Sequence, residues 1–226
     1  MQNHDITESI QTLKSTLQDA DARVLAIDID DTISATGPQY IGKIQQAFGN
    51  PEGLSPIAMW EKYGRGDVPY WNMEEVRNWC LNHIEDPKFH LDCHAIQGAV
   101  MALGYIDEFF LKIGLYLTIR TEPLRSCTDE WLRTYDFPIA PLVMMPSSFP
   151  HRHGMIWKAR VLEYLYPEVV GIVDDRAELL GALSPSYQGT VFLYRHDETE
   201  YLRAVACPTW DHVCRRVRHH SITTRA

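Results

Sequence analysis

Features that would indicate a disulfide-stabilised, zinc-binding or membrane protein are missing from this chain of 226 residues. The cysteines number five, an odd count, and no two form a CxxC pair, so neither a disulfide framework nor a structural zinc site is predicted. No apolar run approaches the ~18 residues needed to cross a bilayer, and the polar start lacks the apolar core of a signal peptide. We therefore expect a cytoplasmic protein with no membrane partner.

Basic residues are also in the minority, with 21 Lys and Arg against 30 Asp and Glu, and the formal net charge is −9. A negative surface repels a phosphate backbone, which disfavours a nucleic-acid partner without excluding a local basic pocket. The absence of a GxxxxGK(S/T) motif argues against an attached kinase. Nothing in the sequence indicates an oligomeric state.

Five short apolar runs are typical of buried strands, and helical patterns separate most of them. The predicted strands are 24–27, 115–119, 142–145, 169–173 and 190–193, and the predicted helices are 6–19, 95–112, 123–134 and 156–166. Such alternation predicts an α/β fold with a doubly wound, mostly parallel, Rossmann-like sheet. The polar, basic tail from 215 to 226 is expected to fray.

The stretch 36–94 interrupts this alternation and is too long for an ordinary crossover loop. It contains helical patterns at 39–48, 55–63 and 73–84, and much of the aromatic content of the chain. We predict an inserted helical cap at 36–94 and a core made of 1–35 and 95–226. The cap aromatics have two interpretations, stacking on a substrate base or forming the core of the cap, and the second is favoured for most of them.

Two aspartates, Asp28 and Asp30, follow the first predicted strand. Residues two apart in an extended chain point the same way, so both carboxylates can enter one pocket beyond the strand end. One carboxylate can attack phosphorus, while the other protonates the leaving oxygen and then deprotonates water. The alternative is a polar strand end that caps the following turn.

A second buried strand, 169–173, leads into Asp174 and Asp175. Acidic ends of neighbouring parallel strands can converge on one Mg²⁺, which prefers oxygen ligands and would offset the repulsion between the carboxylates. The alternative is a solvated acidic loop at the start of a helix.

Three further residues are candidates for phosphate binding. Thr118 lies in the second predicted strand, Lys158 is the last lysine of the chain, and Arg120 carries a guanidinium group that can pair with phosphate as a fork. Taken singly, the threonine fits an ordinary strand position and the lysine an ordinary solvated helix position.

The order Asp-x-Asp, apolar-Thr, Lys, apolar-Asp-Asp resembles the motif order of the haloacid-dehalogenase-like superfamily, over residues 23 to 193. The resemblance implies Asp28 as nucleophile and metal ligand, and Asp30 as acid/base with its backbone carbonyl on the metal. It further implies Thr118 and Lys158 as phosphoryl ligands, and Asp174 and Asp175 as Mg²⁺ ligands, Asp175 directly or through water. Because dehalogenase members do not use the second aspartate as phosphatases do, Asp30 favours phosphate chemistry.

One position departs from the family pattern, because Asp31 stands where the family often has glycine. Glycine tolerates positive φ far better than aspartate, so the turn after the first strand is expected to differ.

The cap together with Ile119–Thr121 and Val173–Arg176 looks similar to 5′(3′)-deoxyribonucleotidases. The segment from Arg120 to Leu132 also resembles the phosphatase domain of polynucleotide kinases. We therefore expect a Mg²⁺-dependent phosphatase acting on a small phosphorylated substrate such as a (deoxy)nucleotide. The alternatives are a polynucleotide 3′-phosphatase, a sugar-phosphate phosphatase, and a non-enzymatic protein that is either receiver-like or a catalytically silent phosphate binder.

Overall fold

Six parallel strands form a single sheet in the computed structural model, which describes residues 6–64 and 68–223. The strands are β1 (Val24–Ile27), β2 (Lys112–Thr121), β3 (Leu142–Met145), β4 (Val169–Asp174), β5 (Thr190–Tyr194) and β6 (Ala204–Cys207). Their order across the sheet is β3-β2-β1-β4-β5-β6. The predicted α/β fold is confirmed, and the sheet is wholly rather than mostly parallel.

Ten α-helices lie along the described parts of the chain. They are α1 (Glu8–Asp19), α2 (Thr36–Phe48), α3 (Pro56–Tyr63), α4 (Glu74–His83), α5 (Pro87–Leu91), α6 (Ala99–Phe109), α7 (Arg125–Thr134), α8 (Gly154–Leu165), α9 (Glu178–Ala182) and α10 (Trp210–Thr223). Among the residues described, no helix combines the length and the apolar character that a membrane span requires. All five cysteines are free thiols.

The sheet core lies on both faces, as the alternation of side chains along β1 requires. Leu25 and Ile27 pack into the cluster that includes residues of α6, α7 and α10. Val24 and Ala26 belong to the opposite cluster, with residues of α1 and α8. Each strand of the sheet centre is thus buried on both sides, which explains its continuous apolar sequence.

The C-terminal elements differ from the sequence prediction. The strand β6 was not predicted, and the tail expected to fray from residue 215 instead continues α10 to Thr223. Val213 and Val217, four residues apart, are fully buried against the sheet core. These two valines anchor the helix on the sheet. The residues from 215 onwards are mostly polar and basic, and that composition is the reason that the sequence suggested a solvated tail.

Helices α2, α3 and α4 enclose a third, separate apolar cluster. Ile41, Ile44 and Met59 are buried in it, and Trp71 is buried with its indole N–H donating to the Gly49 carbonyl at 3.2 Å. Trp60 and Trp79 pack against the same cluster while remaining partly exposed. The residue limits of the cap, 36 and 94, remain a prediction.

The strand order reverses at β1, which has β2 on one side and β4 on the other. In open α/β sheets, ligands bind beyond the carboxyl ends of the strands at such a reversal. The residues that follow β1 and β4 therefore occupy the position where this fold places its chemistry.

Candidate active site

Three carboxylates meet at the carboxyl ends of β1 and β4. Asp28 directly follows β1, Asp174 ends β4, and Asp175 comes next. Each of them offers a carboxylate oxygen, and these atoms all lie within 4.8 Å of one another. Asp28 and Asp174 are buried. An all-oxygen, negatively charged and mostly buried group of this kind fits Mg²⁺.

Lys158 lies between two of these carboxylates. This lysine belongs to α8, and its side chain is only 1% exposed. Its ammonium group is 2.5 Å from Asp28 Oδ1 and 2.8 Å from Asp174 Oδ2. Burial opposes the lysine charge, but the two carboxylates outweigh burial and raise the pKa of Lys158. Such a buried cation is the opposite of the solvated helix lysine that the sequence left open.

Burial dominates the ionisation of the two aspartates beside Lys158. Burial raises the pKa of Asp28 to about 6, against the lowering influence of Lys158 and with further repulsion from Asp174 and Asp30. Burial also raises the pKa of Asp174, again against Lys158. Both carboxylates therefore bind protons more readily than an exposed aspartate, and a further cation nearby would favour their ionised forms.

Thr32 connects the loops that follow β1 and β4, and sequence reasoning gave it no role. Its hydroxyl donates to Asp28 Oδ2 at 2.9 Å and accepts the backbone N–H of Asp175 at 3.1 Å. A threonine four residues after Asp28 carries no signal of this bridge, because its partner lies 143 positions away.

The turn after β1 corrects the expectation for Asp31. This aspartate adopts φ of 61°, the left-handed conformation that glycine would take, so the turn does not differ in the way predicted. Its carboxylate Oδ1 accepts the backbone N–H of Gly37 at 2.6 Å, at the start of α2. Aspartate is among the few non-glycine residues found at such positions because its short side chain can bond locally.

Asp30 forms a partly buried ion pair with Arg120. The arginine NH2 group is 2.7 Å from Asp30 Oδ1, and Nε is 3.1 Å from both carboxylate oxygens. The Thr36 hydroxyl donates to Oδ1 at 2.6 Å. Although burial alone would raise the pKa of Asp30, the charge and hydrogen bonds of Arg120 outweigh it and hold that pKa well below its usual range.

Arg120 was predicted as a phosphate ligand, and here its guanidinium group is engaged inside the protein. Its remaining bond runs from NH1 to the Thr128 hydroxyl of α7 at 3.2 Å. Thr118, two residues earlier on β2, is fully buried and accepts the backbone N–H of Arg120 at 3.1 Å. The Thr118 hydroxyl lies 3.5 Å from Asp30 Oδ2.

A cavity of about 880 Å³ connects this acidic edge with the region predicted as the cap. Asp28, Asp30, Arg120 and Lys158 line one part of it, whereas Thr118 and the metal-cluster residues Asp174 and Asp175 do not. The lining on the α2–α4 side is mainly apolar and aromatic: Tyr40, Ile41, Ile44, Trp60, Trp71 and Val76. The structure therefore brings the catalytic candidates to one cavity that can take a phosphoryl group with a larger leaving group.

Comparison of the sequence with protein-family models and with curated proteins gives no match. Solved structures of similar fold do exist. One is the HAD-hydrolase YfnB from Bacillus subtilis bound to magnesium, which is 12% identical over 87% of this chain and 98% of its own, with a TM-score of 0.51.

Two others have lower TM-scores. A HAD-superfamily hydrolase of subfamily IA from Geobacter sulfurreducens is 15% identical over 79% of this chain and 92% of its own, with a TM-score of 0.48. A haloacid dehalogenase-like family hydrolase from Xanthomonas campestris is 12% identical over 91% of this chain and 99% of its own, with a TM-score of 0.47. Identities this low speak for the fold alone, and the chain has the α/β fold of HAD-superfamily hydrolases.

Proposed function

We propose that this protein is a Mg²⁺-dependent phosphomonoester hydrolase that forms an aspartyl phosphate on Asp28. One observation carries the proposal: Asp28 contacts Lys158 and lies with Asp174 and Asp175 at the sheet reversal, and Asp30 lines the same cavity two residues away. The similarity of the fold to that of the magnesium-bound HAD-hydrolase YfnB also supports this proposal.

The reaction has two steps. In the first, a carboxylate oxygen of Asp28 attacks phosphorus, the bond from phosphorus to the ester oxygen breaks, and Asp30 donates a proton to that oxygen. In the second, Asp30 removes a proton from water, the water oxygen attacks phosphorus, and the Asp28 carboxylate is regenerated as inorganic phosphate forms. Lys158, which lines the cavity, is assigned to the phosphoryl oxygens. The same role for Thr118 stays a prediction from the sequence, since this threonine is fully buried and does not line the cavity.

The metal would be held by Asp28, Asp174 and Asp175 together with the backbone carbonyl of Asp30. When bound, Mg²⁺ supplies positive charge that polarises the phosphoryl oxygens. Apart from this contribution, the protein groups must keep Asp28 ionised, and Lys158 does so by lowering the pKa that burial raises.

The ionised state of Asp30 suits the second step directly, since that step needs a base. For the first step Asp30 must carry a proton. A doubly charged phosphoryl group arriving beside this carboxylate would raise its pKa, because a like charge disfavours the ionised form. Substrate binding thus favours the protonated acid when it is needed.

A mononucleotide is the substrate class that we favour. Trp60 lines the cavity and remains partly exposed, and stacking on an aromatic ring is worth roughly 1–3 kcal/mol per base. The net charge of −9 disfavours the alternative of a polynucleotide 3′ end. A screen of nucleotides, sugar phosphates and 3′-phosphorylated oligonucleotides with Mg²⁺ distinguishes these classes.

The reaction itself is tested with p-nitrophenyl phosphate. We expect turnover that requires Mg²⁺ and stops with EDTA, and Asp28→Asn should lower kcat by roughly a thousandfold or more while the fold survives. Asp211→Asn, at an exposed aspartate in the first turn of α10, is the matched control and should leave kcat unchanged.

Near-normal activity of Asp28→Asn would refute the nucleophile assignment. A single round of labelling without turnover by the unaltered protein would support the receiver-like alternative. Phosphate binding without either reaction would support the silent binder.

A further inference from the structure

The two oxygens of the Asp30 carboxylate have unequal surroundings. Oδ1 receives three hydrogen bonds, from the Thr36 hydroxyl at 2.6 Å and from Arg120 NH2 and Nε at 2.7 and 3.1 Å. Oδ2 receives Nε at 3.1 Å and has the Thr118 hydroxyl at 3.5 Å. Because Oδ1 receives more and shorter hydrogen bonds, Oδ2 is the oxygen with the greater capacity to exchange a proton with a leaving group.

The guanidinium group of Arg120 is arranged to hold this carboxylate. Both residues line the cavity, but the arginine side chain is 2% exposed and that of Asp30 is 21% exposed, so the aspartate is the more accessible of the two. Thr128 fixes the far end of the group through NH1 at 3.2 Å. An arginine with a carboxylate on one edge and a hydroxyl on the other is locked in orientation by its planar fork.

We infer that Arg120 is a positioning residue for Asp30, holding Oδ2 towards the reacting ester, and is not a ligand of the transferred phosphoryl group. This inference rests on the proposed hydrolase function. A phosphoryl anion that recruited the two guanidinium nitrogens now bonded to Asp30 would have to displace its carboxylate. Oδ1 would then lose two donors and Oδ2 one, in a partly buried site.

The two roles predict different responses to the leaving group. An acid that protonates the ester oxygen matters most when the leaving group is a poor one, as in phenyl phosphate, and least when it is a good one, as in p-nitrophenyl phosphate. A phosphate ligand contacts the same group in both esters and affects both equally. The ratio of kcat/KM for phenyl phosphate to kcat/KM for p-nitrophenyl phosphate therefore separates them.

Arg120→Lys keeps the buried charge but loses the fork, and Thr128→Val removes the distal anchor without touching Asp30. We expect the ratio to fall about tenfold or more in Arg120→Lys, because a displacement of roughly 1 Å has a large effect on proton transfer, and to fall by less in Thr128→Val. The inhibition constant of inorganic phosphate should stay unchanged in both. Arg125→Lys, at an arginine half exposed and paired with Glu122, is the matched control with no change in either quantity.

An unchanged ratio in both variants overturns the inference, and so does a weakened inhibition by phosphate with the ratio intact. Should Arg120→Lys fail to fold, Thr128→Val decides alone by the same ratio. If the unaltered protein hydrolyses neither ester with Mg²⁺, the proposed function fails instead, so the two failures are distinguishable.

Discussion

Replacing Lys158 by methionine tests the electrostatic balance of the site. The substitution keeps the length and apolar stem of the side chain and removes the charge that lies 2.5 Å from Asp28 and 2.8 Å from Asp174. Both aspartates then remain buried without their shared counter-ion. We expect a large loss of stability in the metal-free protein.

The size of the loss follows from the geometry. Carboxylate oxygens of the two aspartates lie within 4.8 Å, and two unit charges at that distance repel by about 3.5 kcal/mol at an effective dielectric constant of 20. Removing one partner of a buried ion pair typically costs about 3–5 kcal/mol. A loss of about 3–5 kcal/mol in the free energy of unfolding is therefore expected at pH 8.

The loss should shrink as the pH falls. The pKa of Asp28 is already raised to about 6, and without Lys158 its main lowering influence disappears. Protonation of Asp28 then removes one of the two repelling charges, so acid partly rescues the variant. The sign is that of a carboxyl whose folded-state pKa is raised: its destabilising effect is full above that pKa, declines as the pH falls through it, and disappears below the ordinary pKa of the unfolded chain.

Urea unfolding with EDTA at pH 8 and pH 5.5 measures both effects. Lys112→Met is the matched control, because this lysine is 69% exposed and its ion pair with Asp107 should contribute no more than about 1 kcal/mol. Equal losses for the two variants at pH 8, or a loss in Lys158→Met that grows in acid, would refute the reasoning.

Two other predictions concern cap packing and metal binding. A Cβ added at Gly37 would lie 2.6 Å from ring carbons of Trp60, so Gly37→Ala should lower the stability measured by thermal unfolding by about 1–3 kcal/mol. Gly104→Ala, where nothing lies within 4 Å, should not lower it, and equal destabilisation of both variants would contradict the packing. Mg²⁺ should raise Tm, and at 100 times its Kd it should add about 2.7 kcal/mol to the free energy of unfolding. The effect should be smaller below pH 6, because the raised pKa values of Asp28 and Asp174 let protons compete with the cation. A Mg²⁺ effect on Tm that is the same at pH 5 and pH 8 would speak against these ligands.

The sequence was most informative where a pattern has a direct structural cause. The central strands of the sheet are buried on both faces, so their apolar runs located β1, β3, β4 and β5 to within one residue at either end. Because the carboxyl ends of parallel strands share one edge, the positions of Asp28 and Asp174 beyond β1 and β4 predicted their proximity.

The sequence was least informative where a partner lies far along the chain. Arg120 and Asp30 are 90 residues apart, and no local pattern distinguishes an arginine that binds substrate from one that binds a carboxylate of the protein itself. Strand β6 is only four residues long, and its apolar run contains two alanines and two half-exposed residues, so the run is too short and too weakly apolar to stand out. Asp31 combines a positive φ with a side-chain hydrogen bond from the Gly37 N–H, and the order of residues alone does not reveal that bond.

The nucleophile is tested most directly by trapping the covalent intermediate. Borohydride reduces an acyl phosphate to an alcohol, so quenching the protein during turnover with Mg²⁺ and p-nitrophenyl phosphate should convert Asp28 to homoserine. Peptide mass spectrometry should find that change at Asp28 only, and not when substrate is omitted. Reduction at another carboxylate, or none in an actively turning-over sample, would contradict the account.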